Sequence, residues 1–146
     1  MLHVQDIMTT TVHVAHLDDS LLHIRATMDS LQVHHLPVVD HEQLVGVISD
    51  RDVLTALSPY IDTPSERSAD EACLRRPAHQ IMSRNVQTIA PNLPAAVAAG
   101  MLLDRGVSCL PVVDQDNRLV GIVTWRDLLS AAIRGFATED ITRDAA

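Results

Sequence analysis

Leu36-Pro37-Val38-Val39-Asp40 returns at a constant offset as Leu110-Pro111-Val112-Val113-Asp114. At the same offset Ile7-Met8 returns as Ile81-Met82, Val12 as Val86 and Val33 as Val107. One residue is then added near Asn117, after which Leu44-Val45-Gly46 matches Leu119-Val120-Gly121. Arg51-Asp52, Leu54 and Ala56 match Arg126-Asp127, Leu129 and Ala131. The matches keep one order and fall in the same short windows, so the chain is duplicated within itself. A duplication decides the fold, because each copy is one supersecondary unit that needs a neighbour to bury its apolar face.

The two copies read alike. A short extended segment (11–15; 86–89) precedes a helix with apolar residues at helical spacing: Leu21, Ile24, Met28 and Leu31 in one, Ala95, Ala98 and Leu102 in the other. Asp18, Asp19 or Ser20 caps the first helix; Asn92, with Pro94 at an early helical position, opens the second. Two apolar strands follow, 36–39 and 44–48 around the turn 40–43, and 110–113 and 119–123 around the turn 114–118. A last helix (51–57; 126–133) closes each copy. The pattern predicts an α/β fold of the α+β type, two β-α-β-β-α repeats related by a pseudo-two-fold axis. Repeat 1 takes residues 1–57 and repeat 2, with a C-terminal tail, residues 79–146. The connector, 58–78, carries a short polar helix over 65–76. A unit of about 55 residues is marginal alone, so the copies are expected to pack together.

Composition narrows the function. Of 146 residues, 47% are hydrophobic and 21% charged, as in ordinary globular proteins. Trp125, Tyr60 and Phe136 are the only aromatic residues, so the core is aliphatic. The net charge of −8, without a basic cluster, argues against a nucleic-acid or membrane-surface role. All eleven cations are arginine, which excludes a P-loop lysine, a Schiff-base lysine and a lysine general base. Two cysteines, Cys73 and Cys109, make no disulfide framework and suit a reducing cytosol. The first residues lack the pattern of a secretory signal, and the apolar run 93–103 is broken by Pro94 and Gly100. That run is shorter than the ~18 residues that span a bilayer. A cytoplasmic protein is expected.

Chemistry concentrates in two windows, Gly46-Val47-Ile48-Ser49-Asp50-Arg51-Asp52 and Gly121-Ile122-Val123-Thr124-Trp125-Arg126-Asp127. In each, an apolar strand runs into a hydroxyl, an acid follows three residues on, and a helix begins. One reading is a capping box, with Ser49 or Thr124 accepting helix N–H bonds and Asp52 or Asp127 reaching back. The other is a ligand site. The helix start attracts phosphate, Arg51 or Arg126 adds to that attraction, and the acid accepts hydrogen bonds from a ribose diol. Read singly, either copy leaves both open, and the cap is the simpler.

The duplicated pattern Ile-Met, Leu-Pro-Val-Val-Asp, Leu-Val-Gly-(aliphatic)2-[Ser/Thr]-x-Arg-Asp resembles a tandem pair of CBS (cystathionine β-synthase-type) domains, the Bateman module. The resemblance covers all but the connector and the last dozen residues. It implies a non-enzymatic regulatory module that binds adenosyl compounds (AMP, ADP, ATP or S-adenosylmethionine) in clefts between the repeats. It places nucleotide contacts on Ser49 with Asp52 and on Thr124 with Asp127, beside the Arg51 and Arg126 already named. Residues before the Pro-Val-Val strand line the same clefts: His34 and His35 in repeat 1, Ser108 and Cys109 in repeat 2. The opening segments around Thr10–Val12 and Asn85–Thr88, with Val12 and Val86, would enclose adenine from the opposite copy. Repeat 1 thus looks better equipped for phosphate than repeat 2, which puts equal occupancy in doubt. The resemblance also implies a homodimer of pairs and a protein effector that reads the ligand-dependent packing. With hydroxyl and acid kept in both copies, it favours binding over capping alone.

Seven of the eight histidines lie within the first 41 residues, but no Cys or acid completes a metal-ligand set around them, and no metal is expected. Cys109, beside Leu110, reads as a small buried apolar residue rather than a nucleophile. No Gly-x-Ser-x-Gly, His-Glu-x-x-His or Gly-x-Gly-x-x-Gly motif occurs, so an enzyme is not expected. The competing expectation is a constitutive dimerisation scaffold whose clefts stay empty.

Overall fold

The computed structural model describes residues 1–144, with side chains described through Gly135. The last two residues of the tail of repeat 2 lie outside the described residues, as does the side chain of Phe136. The elements are α1 (Val4–Ile7), β1 (Ala15–His16), α2 (Leu21–Leu31), β2 (His35–Asp40), β3 (Gln43–Ser49), α3 (Asp50–Ala56) and α4 (Ser68–Ala72). A 3-10 turn (Cys73–Arg75), α5 (Ala78–Ile81), α6 (Ala95–Arg105), β4 (Cys109–Val113), β5 (Leu119–Thr124) and α7 (Trp125–Asp144) follow. The chain forms two compact units, His13–Val86 and Met1–Val12 with Gln87–Ala146.

The unit His13–Val86 is built on a sheet ordered β1-β2-β3, parallel between β1 and β2 and antiparallel between β2 and β3. Four successive residues of β2, Leu36 to Val39, are buried, whereas β3 alternates, burying Leu44, Gly46 and Ile48. Helix α2 starts where Ser20 Oγ accepts the His23 N–H (3.2 Å). Leu21, Ile24 and Met28 enter the core with Leu36, Val38, Ile48 and Val53. Ala78, the last residue of the connector, and Met82, from the opening of repeat 2, complete that same core. Ser83 pairs with Val47 through both backbone bonds (2.9 and 3.0 Å).

The other unit reciprocates. Its strands β4 and β5 are antiparallel, and Ile89 forms a parallel bridge to Val112 in the place that β1 takes beside β2. Val4 and Ile7, from the opening of repeat 1, join a core of Ile89, Ala98, Leu102, Leu110, Val112, Val123 and Ala131. Thr9 pairs with Ile122 through both backbone bonds (2.9 and 3.0 Å). Sequence repeats and compact units therefore differ, because each repeat lends its Ile-Met opening to the strands of the other.

The hairpins explain the added residue. Turn 40–43 has two central residues, His41 and Glu42, both with positive φ (48° and 71°). In the second hairpin Asp114 Oδ1 accepts the N–H groups of Asp116 and Arg118 (both 2.9 Å), and Asn117 takes the single positive φ, 61°. One more residue replaces a two-residue turn by a longer one that needs less left-handed backbone.

Several expected boundaries shift. The extended segments shrink to Ala15–His16 and to the bridge at Ile89. Leu31 is 40% exposed, and Asp19 accepts the His16 N–H (2.8 Å), leaving Ser20 as the cap. Pro94 rather than Asn92 is the N-cap residue of α6, without a side-chain bond. The connector's polar helix is one α turn followed by a 3-10 turn, and α7 runs to Asp144 rather than ending near residue 133.

Candidate functional site

In the unit built on β2 and β3, Ser49 ends β3 and caps α3. Its Oγ accepts the Asp52 N–H (3.1 Å), and Asp52 Oδ2 accepts the Ser49 N–H (2.8 Å). The reciprocal capping box is thus present. Helix α3 has only seven residues, so its dipole adds little and any ligand binding there falls to side chains. His35 opens β2 directly opposite Ser49. The His34 carbonyl accepts the Asp50 N–H (2.9 Å), and His34 Nδ1 stands 3.2 Å from Asp50 Oδ2. Burial lowers the pKa of His35 from 6.5; His34 pushes the same way, and Asp50 and Asp52 oppose. His34, His35, Ser49 and Asp52 are therefore brought together, with Asp50 added to the set.

In the unit built on β4 and β5, Asp127 Oδ2 accepts the Thr124 N–H (2.8 Å) and the Thr124 hydroxyl (3.1 Å). The hydroxyl donates to the acid here instead of accepting a helix N–H, so the expected capping box is only half formed. Asp127 Oδ1 accepts a further bond from the Thr9 hydroxyl (3.0 Å). Cys109 stands opposite Thr124 in the ladder. Its burial raises the thiol pKa from 9.0 to about 11, so at neutral pH it is an un-ionised apolar group.

Arg51 and Arg126 are exposed and make no ion pair among the described residues. Val12 and Val86 are half-buried, Val12 in the unit of β4–β5 and Val86 in that of β2–β3. Neither makes a hydrogen bond to the hydroxyl–acid pairs. Sequence reasoning missed Thr9 and Asp50. The available signal for Thr9 was the hydroxyl that follows both Ile-Met pairs, Thr9 in one copy and Ser83 in the other. Among the described residues no group of three His, Cys, Asp or Glu is placed to hold a metal ion, and no helix is long and apolar enough to cross a membrane.

The chain matches the CBS domain family over residues 4–59 and again over 78–134, and it belongs to that family. A CBS domain-containing protein of Dictyostelium discoideum is 33% identical over 133 residues, 90% of this chain and 91% of that protein. An L-aspartate semialdehyde sulfurtransferase of Methanocaldococcus jannaschii is 32% identical over 126 residues, but the chain spans only 22% of its length. Among solved structures, CBSX2 in complex with AMP has a TM-score of 0.78 at 28% identity, covering 92% of this chain and 98% of that one. The CBS domain pair of protein MJ0100, in complex with 5′-methylthioadenosine and S-adenosyl-L-methionine, has a TM-score of 0.73 at 30% identity and the same coverage. The fold is that of a CBS domain pair.

Proposed function

We propose that this chain is a non-enzymatic regulatory module that binds an adenosyl ligand: AMP, ADP, ATP or S-adenosylmethionine. The observation that carries the proposal is a hydroxyl and a carboxylate held together at the same strand-to-helix junction in both units. A carboxylate accepts both hydrogen bonds of a ribose diol, and a neighbouring hydroxyl donates to a phosphoryl oxygen. The relatives support the reading, since CBSX2 is in complex with AMP and MJ0100 with two adenosyl compounds. Ligand binding regulates by favouring one of two packings, which requires different affinities for the two. A homodimer fits the exposed apolar side chains Leu103, Leu129 and Ile133 on α6 and α7. A cytoplasmic setting suits the free cysteines.

Native mass spectrometry of the purified protein, with each of these ligands added in turn, tests the proposal. The expected result is a ligand-bound species, together with a rise in melting midpoint. Ligand at 100 times its Kd adds ~2.7 kcal/mol, roughly 5–10 °C for a chain of this size. No bound species and no shift with any of them would leave the second reading, a constitutive scaffold. The Ser49–Asp52 capping box favours that reading, because it gives the acid a purpose without ligand.

A further inference from the structure

The duplication repeats the helix pair as well as the strands, but the outer faces of the two pairs have diverged. At the constant offset His23, Arg25, Thr27 and Asp29 on α2 correspond to Val97, Ala99, Met101 and Leu103 on α6. With the added residue counted, Ser58 corresponds to Ile133 on α7. In repeat 1 polar members of this set hold the connector. Arg25 Nη2 donates to Asp62 Oδ2 (2.9 Å), and Ser58 Oγ donates to Asp70 Oδ1 (2.6 Å). The Arg76 carbonyl accepts the Leu21 N–H (2.9 Å), and Ile61 is buried. Leu22 and Leu54 remain exposed, but α2 also exposes His23, Asp29 and Ser30, and α3 has only seven residues.

On α6 and α7, which pack against each other, the corresponding surface is open and apolar. Val97, Leu103, Leu129 and Ile133 are between 41% and 68% exposed. Leu129 and Ile133 lie one turn apart on a helix of 20 residues. Gly100 stands midway along α6, and a β-carbon there would meet nothing within 4 Å. Glycine inside a helix costs about 0.5–1 kcal/mol relative to alanine. No neighbour among the described residues requires it; a backbone approaching from outside does.

Granting the homodimer named above, on which this rests, we infer that two chains meet through the α6–α7 face alone. A second copy's helix lies across Gly100, and the α2–α3 face, already bound to the connector, takes no part. The apolar surface left open on one chain is on the order of a few hundred Å2, about the most that monomers expose. A two-fold axis doubles it towards the roughly 1,000 Å2 at which specific interfaces begin. Charge also points to a second copy. At a net charge of −8, two chains repel over most of their surface. Beside Leu103 and Trp125, however, stand exposed Asp104 and Arg126, neither in an ion pair among the described residues. In a two-fold contact each copy offers both signs to the other. One such face per chain ends the assembly at two.

Sedimentation velocity of the whole chain, without ligand, tests this. A species of twice 16.0 kDa is expected at micromolar concentration. Gly100→Gln is expected to weaken the dimer by about a hundredfold or more. It should leave the chain folded, since the new side chain enters open space and glutamine favours helix. Leu103→Arg/Leu129→Arg should weaken the dimer equally, and Leu22→Arg/Leu54→Arg should leave it intact. Circular-dichroism melts check that each variant is folded, and Gly100→Gln carries the test if a double variant is not. A dimer unchanged in Gly100→Gln would overturn the inference and leave the homodimer standing. So would a dimer lost in folded Leu22→Arg/Leu54→Arg, or a species larger than a dimer. An unmodified chain still monomeric at about 100 µM would overturn both. The adenosyl reading is tested by ligand binding and does not depend on either result.

Discussion

Met82 lies across the face of Gly46: a β-carbon on that glycine would stand 2.5 Å from Met82 Sδ and 2.9 Å from the Ser83 carbonyl oxygen. Gly121 meets Met8 and Thr9 in the same way, at 2.6 and 3.1 Å. The methionine tail can turn aside, but the carbonyl belongs to the bridge that pins the borrowed segment to the sheet. Gly46→Ala and Gly121→Ala are therefore expected to destabilise the protein by about 1–3 kcal/mol each, Gly46→Ala more. Urea unfolding measures both, and unchanged midpoints would mean that the borrowed segments are loosely held.

Cys109 ties stability to alkaline pH. Its folded pKa, about 11, lies above the 9.0 of a free thiol, so between these values the unfolded chain loses its proton first. The contribution is complete below pH 9 and is lost as pH rises towards 11, on the order of 2–3 kcal/mol. Cys109→Ala should flatten that decline. At pH 8 a thiol reagent should label half-buried Cys73 well before Cys109.

His35 acts at the acid end. Burial lowers its folded pKa below 6.5, so under acid the unfolded chain binds the proton more readily. Its contribution is present above pH 6.5 and is lost as pH falls through the folded value. Melting midpoints of the ligand-free protein should fall between pH 7.5 and 5.5, and His35→Gln should lessen the fall. An equal fall in both would remove His35 as the cause.

The first hairpin places His41 and Glu42 in left-handed backbone, at a cost glycine or asparagine largely avoids. The His41–Asp40 ion pair is 96% exposed on the histidine side and offsets little. His41→Asn with Glu42→Gly is expected to stabilise the protein by about 1 kcal/mol, read from the shift in urea midpoint. A loss of stability would show that the side chains make up for the strained turn.

Much of this was legible in the residues. Leu36–Val39 and its echo announce buried strands, Leu21, Ile24 and Met28 a helix face, and the two hydroxyl–acid windows the junctions where strand gives way to helix. What stayed hidden was long-range. Periodicity places Ile7-Met8 at the opening of a repeat but cannot say which sheet the segment joins. Thr9 and Asp127 accordingly stood too far apart in sequence to suggest a bond. The single-residue difference between the hairpins was visible, but its resolution through Asn117 depends on backbone dihedrals. Leu31 has the spacing of its buried neighbours, yet it falls in the last turn of α2, where the core has ended.

Because each opening is loaned across, a scission in the connector would strand both pieces. A fragment ending at residue 57 would keep its sheet but forfeit the plug formed by Ala78 and Met82. A fragment beginning at residue 78 would lack Val4 and Ile7. Neither half is a self-sufficient folding module, but mixed together the two possess every piece that fragment complementation needs.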